Sequence, residues 1–281
     1  MRVTCVIPAR RNSQRIPLKN FKSFAGGPSL TERAVLCAQQ SGVCRDIVVS
    51  SDAPEAQAIA QWCGVVYHQR SAAASSHQAT AQDALREIWA AVEGLFCPDA
   101  LLWLQPTSPL RTPGLLQRVV GLLEGGAQSV VTVQPLGLSV EEVLCLQDGT
   151  IYPVWNEDVG DGWYPPPNPA DRHPAYRRDG LCYGCLASAA ARGTLFGDRV
   201  LPLVTDSADA ISIDTEQDWD EAERRMQVRE WKMLAHQPSQ QDIDRAIAQY
   251  KAEHLPTSPR QRELDKATAR WKADPSRERE P

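Results

Sequence analysis

Residues 4–20 read TCVIPARRNSQRIPLKN, an apolar run that breaks into a loop carrying four cations and several small polar residues. Val3, Val6 and Ile7 suit a buried strand and Pro8 ends it. Arg10, Arg11, Arg15 and Lys19 then supply positive charge where backbone amides lack strand partners. A guanidinium grips phosphate oxygens with a planar fork, and an ammonium adds a point charge. The loop reads as a triphosphate cradle, with a solvated basic loop as the alternative.

Outward from this stretch the chain alternates helix and strand. Residues 29–41 (SLTERAVLCAQQS) place Leu30, Ala34, Leu36 and Cys37 at helical spacing, with Gly42 as the stop. DIVVS at 46–50 is a short buried strand. The turn Ser50-Ser51-Asp52 leads into a helix over 54–63, whose Pro54 sits where its missing amide costs nothing. Gly64 closes it and 65–68 form a third strand. Residues 75–93 are spaced for one helix packed on a sheet; His77 near its start could bind a ligand or stay in water. ALLWLQ at 100–105 is apolar enough for a central parallel strand covered on both faces, and it ends in PTSPLRT. Ligands in open α/β sheets sit beyond the carboxyl ends of strands. Gln105, Thr107, Ser108 and Arg111 are therefore expected in the same crevice as the first loop. The alternative is a Pro-rich turn in which Thr112 caps a helix over 113–125. A strand over 129–133 follows.

From 135 to 178 the pattern changes. Residues 143–146 and 151–155 flank Asp148-Gly149, a strong hairpin signal, and 161–174 (DGWYPPPNPADRHP) is too irregular for core structure. This segment is expected to leave the main sheet, either closing over a substrate or docking a second subunit. Strands at 181–186 and 199–204 rejoin the sheet, with Tyr183 able to present a hydroxyl. Asp214 is expected at a strand end before a helix over 216–234, where its carboxylate either holds Mg²⁺ or caps that helix. Residues 1–230 thus form the main domain with the 135–178 excursion inserted. Residues 231–281 form a charged helical extension with two apolar stripes, its last residues frayed.

Composition bounds the class. The chain has 281 residues, 42% of them hydrophobic, enough for a substantial core in a globular α/β protein. No apolar run approaches the ~20 residues of a membrane span, and the N-terminus enters a strand without a charged leader, so a cytoplasmic protein with no membrane partner is expected. A net charge of −5 argues against a nucleic-acid binder and points any anionic ligand toward a small phosphate. The eight cysteines lie mainly in apolar contexts such as Cys5, Cys37, Cys63 and Cys97, as reduced core residues do. Cys182 and Cys185 form a CxxC compatible with metal or redox use or with plain strand packing.

IPARRNSQRIPLKN, VVSSD, LQPTSPLRT and IDTEQDWDEAE occur in the order and approximate spacing of acylneuraminate cytidylyltransferases, the CMP-sialic acid synthetase group, which the chain resembles over residues 2–225. The resemblance implies a Rossmann-like nucleotidyltransferase fold with a mostly parallel sheet and helices on both faces. It also implies a homodimer formed through the excursion, CTP and Mg²⁺, and a nonulosonic acid acceptor. The implied reaction is attack by the sugar's anomeric hydroxyl on the α-phosphate of CTP, with release of pyrophosphate. By the match, Ala9, Arg10, Ser13, Lys19 and Asn20 hold the nucleotide, with Arg70 and Thr80 nearby. Gln105, Thr107 and Tyr183 face the sugar and Asp214 holds the metal. Lys19, with Arg10, would stabilise charge on the triphosphate.

The chain departs from the family pattern at three places. Gln14 replaces a usual lysine, Ser212 replaces the first aspartate of the usual DIDT, and Asp179 replaces the asparagine of the usual NGAIY. Asp179 would repel an acidic sugar unless Arg172, Arg177 or Arg178 neutralises it; those arginines could equally be solvated. Two classes of function follow: an active cytidylyltransferase, or a nucleotide-binding or partner protein that kept the fold and lost efficient catalysis. An enzyme acting on a 3-deoxy-octulosonate-type sugar is the nearer alternative to the first.

Overall fold

The computed structural model describes residues 1–11, 13–76, 78–154, 166–206 and 208–228. The expected tail over 231–281, His77 and the irregular run over 155–165 lie outside the described residues.

Strand β1 (Val3–Pro8) lies in the interior of a seven-stranded sheet. It pairs in parallel with β4 (Asp46–Ser51) on one side and β6 (Ala100–Trp103) on the other. The two-residue period of a strand sends Val3, Cys5 and Ile7 to one face and Val6 to the other, and each face meets its own apolar layer. Helices α1 (Leu30–Ser41), α2 (Pro54–Trp62) and α5 (Pro113–Glu124) fill the first layer, while α4 (Ala81–Phe96) and α6 (Ala187–Ala191) fill the second. With β5 (Val66–Gln69), β7 (Ser129–Ser139), β10 (Pro174–Leu186) and β11 (Val200–Val204), the sheet order is β11-β7-β10-β6-β1-β4-β5. Among these strands β10 alone runs antiparallel to its neighbours. This is the mostly parallel, doubly covered sheet that the resemblance implied.

Local chemistry explains most boundaries. Ser29 and Glu32 exchange hydrogen bonds as a capping box at the start of α1, and Gly42 ends the helix at φ 67°, a left-handed conformation that glycine adopts without steric cost. The single helix expected over 75–93 is instead two, α3 (Ala72–Ser75) and α4. Thr80 and Asp83 form a second capping box, so the chain restarts there; T-x-x-D marks a start inside what reads as one apolar period. Thr112 stands at the N-cap position of α5, yet its side chain makes no capping hydrogen bond.

The expected hairpin is present as β8 (Leu144–Gln147) and β9 (Thr150–Pro153), joined through Asp148 at φ 50° and Gly149 at φ 77°. Both strands of the stem are longer than expected: β7 and β10 remain paired out to Ser139 and Pro174, beyond the edge of the main sheet. Two further strands, β2 (Ser23–Phe24) and β3 (Gly27–Ser29), make a small ribbon after the first loop. It packs with α7 (Glu216–Val228) in a third apolar cluster of Ile16, Phe24, Leu30, Leu110, Ile213 and Trp219.

Cysteine placement is mixed. Cys182 and Cys185 are buried in β10 and enter opposite apolar layers, so their thiols cannot meet on one metal ion. Burial pushes the Cys185 thiol up to about 12. Cys97, expected in the core, is exposed in a left-handed turn after α4. Among the described residues no helix is long and apolar enough to cross a membrane.

Candidate active site

The carboxyl ends of β1, β4, β5 and β6 open on one side of the sheet, and a crevice of two adjoining chambers lies there. The first, ≈ 600 Å³, is lined by Arg10, Ser13, Lys19, Asn20, Arg70 and Thr80 among others. The second, ≈ 440 Å³, has Gln82, Arg178, Tyr183, Leu195 and Phe196 on its walls. Trp103, Gln105, Ser212 and Asp214 border both. Both volumes are in the range of small-ligand sites.

The loop after β1 is held by its backbone. The Ala9 amide donates to the Ser50 carbonyl at 2.9 Å, and Ala9, expected to hold the nucleotide, is fully buried and does not line the chamber. Leu18 adopts φ 50°, a strained choice for a branched residue that costs ~1 kcal/mol and turns the chain so that Lys19 and Asn20 point inward. The Asn20 amide nitrogen donates to the Arg10 carbonyl at 3.1 Å, while its Oδ1, buried, has no protein partner. Arg10, Arg15 and Lys19 line the chamber. Arg11 does not: its amide binds Asp52 and its guanidinium pairs with Glu55 on α2 at 3.2 Å, so the VVSSD turn anchors the loop. Arg70 is buried, donating to the Ser50 carbonyl at 2.8 Å; burial pulls its guanidinium down to about 10, which leaves it charged at neutral pH. Thr80 reaches the rim, but its hydroxyl is committed to the capping box with Asp83.

Asp214 faces this loop across the crevice. The Lys19 ammonium donates to the Ile213 carbonyl at 2.5 Å and to Asp214 Oδ1 at 3.2 Å, although the two residues are 195 positions apart. The strand expected before Asp214 is not formed; residues 208–215 are irregular, and the Ile213 amide fixes them by donating to the Thr107 carbonyl at 2.8 Å. The cap of α7 is supplied by the neighbour of Asp214. Thr215 Oγ1 accepts from the Asp218 amide at 3.2 Å while Asp218 Oδ2 accepts from the Thr215 and Asp214 amides, so Thr215 caps α7. The Asp214 side chain stays 59% exposed on the crevice wall. Ser212, beside it, places its hydroxyl 3.4 Å from Thr107 Oγ1.

Of the LQPTSPLRT segment only Gln105, Pro106 and Thr107 reach the crevice. Ser108 and Arg111, expected there, are buried: Ser108 donates to the Gly180 carbonyl at 3.1 Å, and the Arg111 guanidinium donates to the carbonyls of Leu181 and Gln105. Arg111 thus ties the end of β6 to the start of the buried part of β10. Between Arg178 and Tyr183 the β7·β10 register slips, and this bulge turns residues 179–180 toward the second chamber.

Asp179 takes its hydrogen bonds from neutral groups and not from an arginine. Its Oδ1 accepts from the Thr132 hydroxyl and the Leu181 amide, and its Oδ2 from the Thr205 hydroxyl at 2.6 Å. Arg177 instead donates to Gln134 and Arg172 to the Pro166 carbonyl. Arg178 is left on the chamber wall, its guanidinium 5.9 Å from the Phe196 ring centre. Tyr183 meets Phe196 edge-on at 6.3 Å, and burial raises its phenol above the ordinary value. Phe196 and Gln82 were not legible as site residues, because nothing in their sequence surroundings resembles a motif.

A family model described as cytidylyltransferase matches residues 4–147, a span that carries the cradle, VVSSD and LQPTSPLRT. The chain belongs to the cytidylyltransferase family. It is 29% identical over 242 residues to a CMP-N,N'-diacetyllegionaminic acid synthase of Legionella pneumophila, covering 82% of this chain and 98% of that protein. It is 33% identical over 132 residues to N-acylneuraminate cytidylyltransferase A of Danio rerio, covering 47% of this chain and 30% of that one. Over 135 residues it is 30% identical to a 3-deoxy-manno-octulosonate cytidylyltransferase of Anaeromyxobacter, covering 48% of this chain and 52% of the relative. Among solved structures, a CMP:2-keto-3-deoxy-manno-octonic acid synthetase complexed with CTP superposes with a TM-score of 0.58 at 15% identity, covering 81% of this chain and 99% of that one. The fold is therefore that of the nucleotidyltransferases, and the chain is a nucleotidyltransferase enzyme. For a cytidylyltransferase the two chambers carry a plain physical logic. Nucleotidyl transfer is helped most by alignment and by neutralising charge at the transferring phosphorus, which a cationic chamber open to a second one can provide.

Proposed function

We propose that the protein transfers CMP from CTP to a sialic-acid-like nonulosonic acid, with the triphosphate in the cationic chamber and the sugar in the chamber beside it. The observation that carries this reading is the place of Asp214: 3.2 Å from Lys19 and on the wall common to both chambers. The reacting phosphorus would lie at that junction, with Lys19, Arg10 and Arg15 toward the leaving pyrophosphate. Asn20, Ser13, Arg70 and the rim at Thr80 would hold the rest of the nucleotide. Gln105 and Tyr183 would orient the sugar from its own chamber and Thr107 from the adjoining one, and Arg178 would meet its carboxylate.

The nonulosonic class is favoured because the Legionella relative matches over 82% of this chain, whereas the octulosonate relative named above matches over 48%. Leu195 and Phe196 give the sugar chamber an apolar wall suited to N-acyl groups.

Mg²⁺ fits the donors present. It binds through one or two carboxylates and keeps phosphate and water ligands, and Asp214 offers an exposed carboxylate on the crevice. Ser212 contributes a neutral oxygen where a second carboxylate would bind more tightly. When bound, Mg²⁺ would neutralise phosphate charge and make the attacking hydroxyl more acidic. A homodimer through the excursion is supported by the apolar side chains on β8, β9 and the β10 arm, where Leu146 is 73% exposed and Ile151, Tyr152 and Tyr176 are also exposed.

The test is incubation with CTP, Mg²⁺ and a panel of nonulosonic and 3-deoxy-octulosonic acids, scored by the mass of the CMP-linked product. Product with a nonulosonic acid is expected, and Arg178→Ala should raise its KM while leaving that of CTP unchanged. Ordinary CTP binding with no product from any acceptor would overturn the reading in favour of a nucleotide-binding protein.

A further inference from the structure

The loop that carries Lys19 and the loop that carries Asp214 share one small core. Ile16 precedes Lys19 and Ile213 precedes Asp214, and both are fully buried in the cluster that α7 completes. Trp219 is its keystone on the α7 side. The ring lies edge-on to Phe24 of the β2–β3 ribbon at 5.1 Å and 81°, and the Lys22 ammonium sits 4.0 Å above it. One turn further along, Glu223 Oε1 accepts from the Ala25 amide at 2.8 Å, and Met226 Sδ lies 3.8 Å from Arg33 Nη1. Helix α7 is thus clasped to the ribbon that directly follows the cradle. Its own first turn is capped by Thr215, the residue after Asp214.

We propose that Trp219 is a positioning residue for cytidylyl transfer: by clasping α7 to the β2–β3 ribbon it sets the separation of Asp214 from Lys19. This rests on the reaction proposed above. The physical reason is that, among the described residues, the packing of α7 on the ribbon joins residues 213–214 to the cradle over a broader surface than their direct link does. The direct link is one ammonium bonded to a carbonyl and to an exposed carboxylate, and such a pair contributes little rigidity by itself. A packed aromatic contact is stiff by comparison.

The experiment compares Trp219→Ala, Trp219→Phe and Ile59→Ala with wild type. Ile59 is buried on the inner face of α2 and does not line the crevice, and its truncation supplies a matched loss of thermal stability. All kinetics are run where circular dichroism shows each protein folded. For Trp219→Ala, kcat should fall roughly 10- to 100-fold, as expected for a ~1 Å misplacement of catalytic groups. Calorimetry should show weaker Mg²⁺-dependent CTP binding, while the acceptor KM stays unchanged. Trp219→Phe should recover most of both. If Trp219→Ala does not fold, Glu223→Ala slackens the same clasp from its solvent side and should shift kcat and Mg²⁺-dependent binding in the same direction. An active wild type in which these variants are slowed no more than Ile59→Ala overturns this inference alone. A wild type that forms no CMP-linked product overturns it together with the proposed reaction.

Discussion

Replacing Lys19 by methionine keeps the length and apolar stem of the side chain and removes its charge. The Lys19 side chain is 10% exposed, and its ammonium donates to the Ile213 carbonyl and to Asp214. The ion pair itself is a small part of the folding cost: Asp214 is 59% exposed, and pairs of that kind contribute less than ~1 kcal/mol. The larger part is the carbonyl of Ile213, a fully buried residue, which would lose its donor at a cost of ~1–3 kcal/mol. For a domain of this size that lowers the thermal midpoint by roughly 2–12 °C. The catalytic cost is of another order. A preorganised donor facing developing charge is worth about 2.7–4 kcal/mol, or ~10²–10³ in kcat. Pyrophosphate release measured below the variant's midpoint, with saturating CTP and acceptor, separates the two effects. A folded Lys19→Met protein that keeps kcat within about tenfold of wild type would refute the argument, because the ammonium would then serve only to hold residue 213.

Three other substitutions probe the frame around the crevice. At Gly184 an added Cβ would lie 2.5 Å from Val119 Cγ1 and 3.2 and 3.3 Å from Leu123 and Leu102, so Gly184→Ala should cost ~1–3 kcal/mol in denaturant unfolding by overpacking β10 against α5. Gly180 has φ +76°, and a Cβ there would stand 2.9 Å from Gln105 Oε1. Gly180→Ala should therefore lose ~1–2 kcal/mol to backbone strain and raise the acceptor KM with that of CTP unchanged, as measured by denaturation and initial rates. Arg111→Met leaves the carbonyls of Gln105 and Leu181 without their donor. It should cost ~1–3 kcal/mol in denaturant unfolding and loosen Gln105, again seen as a higher acceptor KM rather than a higher CTP KM.

Much of this architecture was legible because it follows from local rules. The apolar runs after residue 3, at 46–50 and at 100–105 suited buried strands, the last of them parallel, and Gly42, Pro54 and Asp148-Gly149 marked helix and hairpin ends through their backbone preferences. The cradle's cations were visible as charge, and three of the four face the crevice. Local pattern does not carry partner geometry. Arg111 looked like Arg10 in sequence, yet one is buried on carbonyls and the other faces the cavity. The 75–93 period hid a break at Thr80, because an apolar spacing of three to four continues across a short turn.

The sequence by itself determined the strand and helix alternation, the hairpin and the presence of a cationic loop, since each rests on residues within a few positions of one another. Only the tertiary structure decided that Lys19 meets Asp214, that Thr132 and Thr205 rather than an arginine satisfy Asp179, and that Thr215 takes the cap and leaves Asp214 facing the crevice. Those facts depend on the sheet order and on a bulge in β10. Whether a charge is desolvated, paired or open to a ligand is a property of the atoms folded against it, which periodicity and composition do not encode.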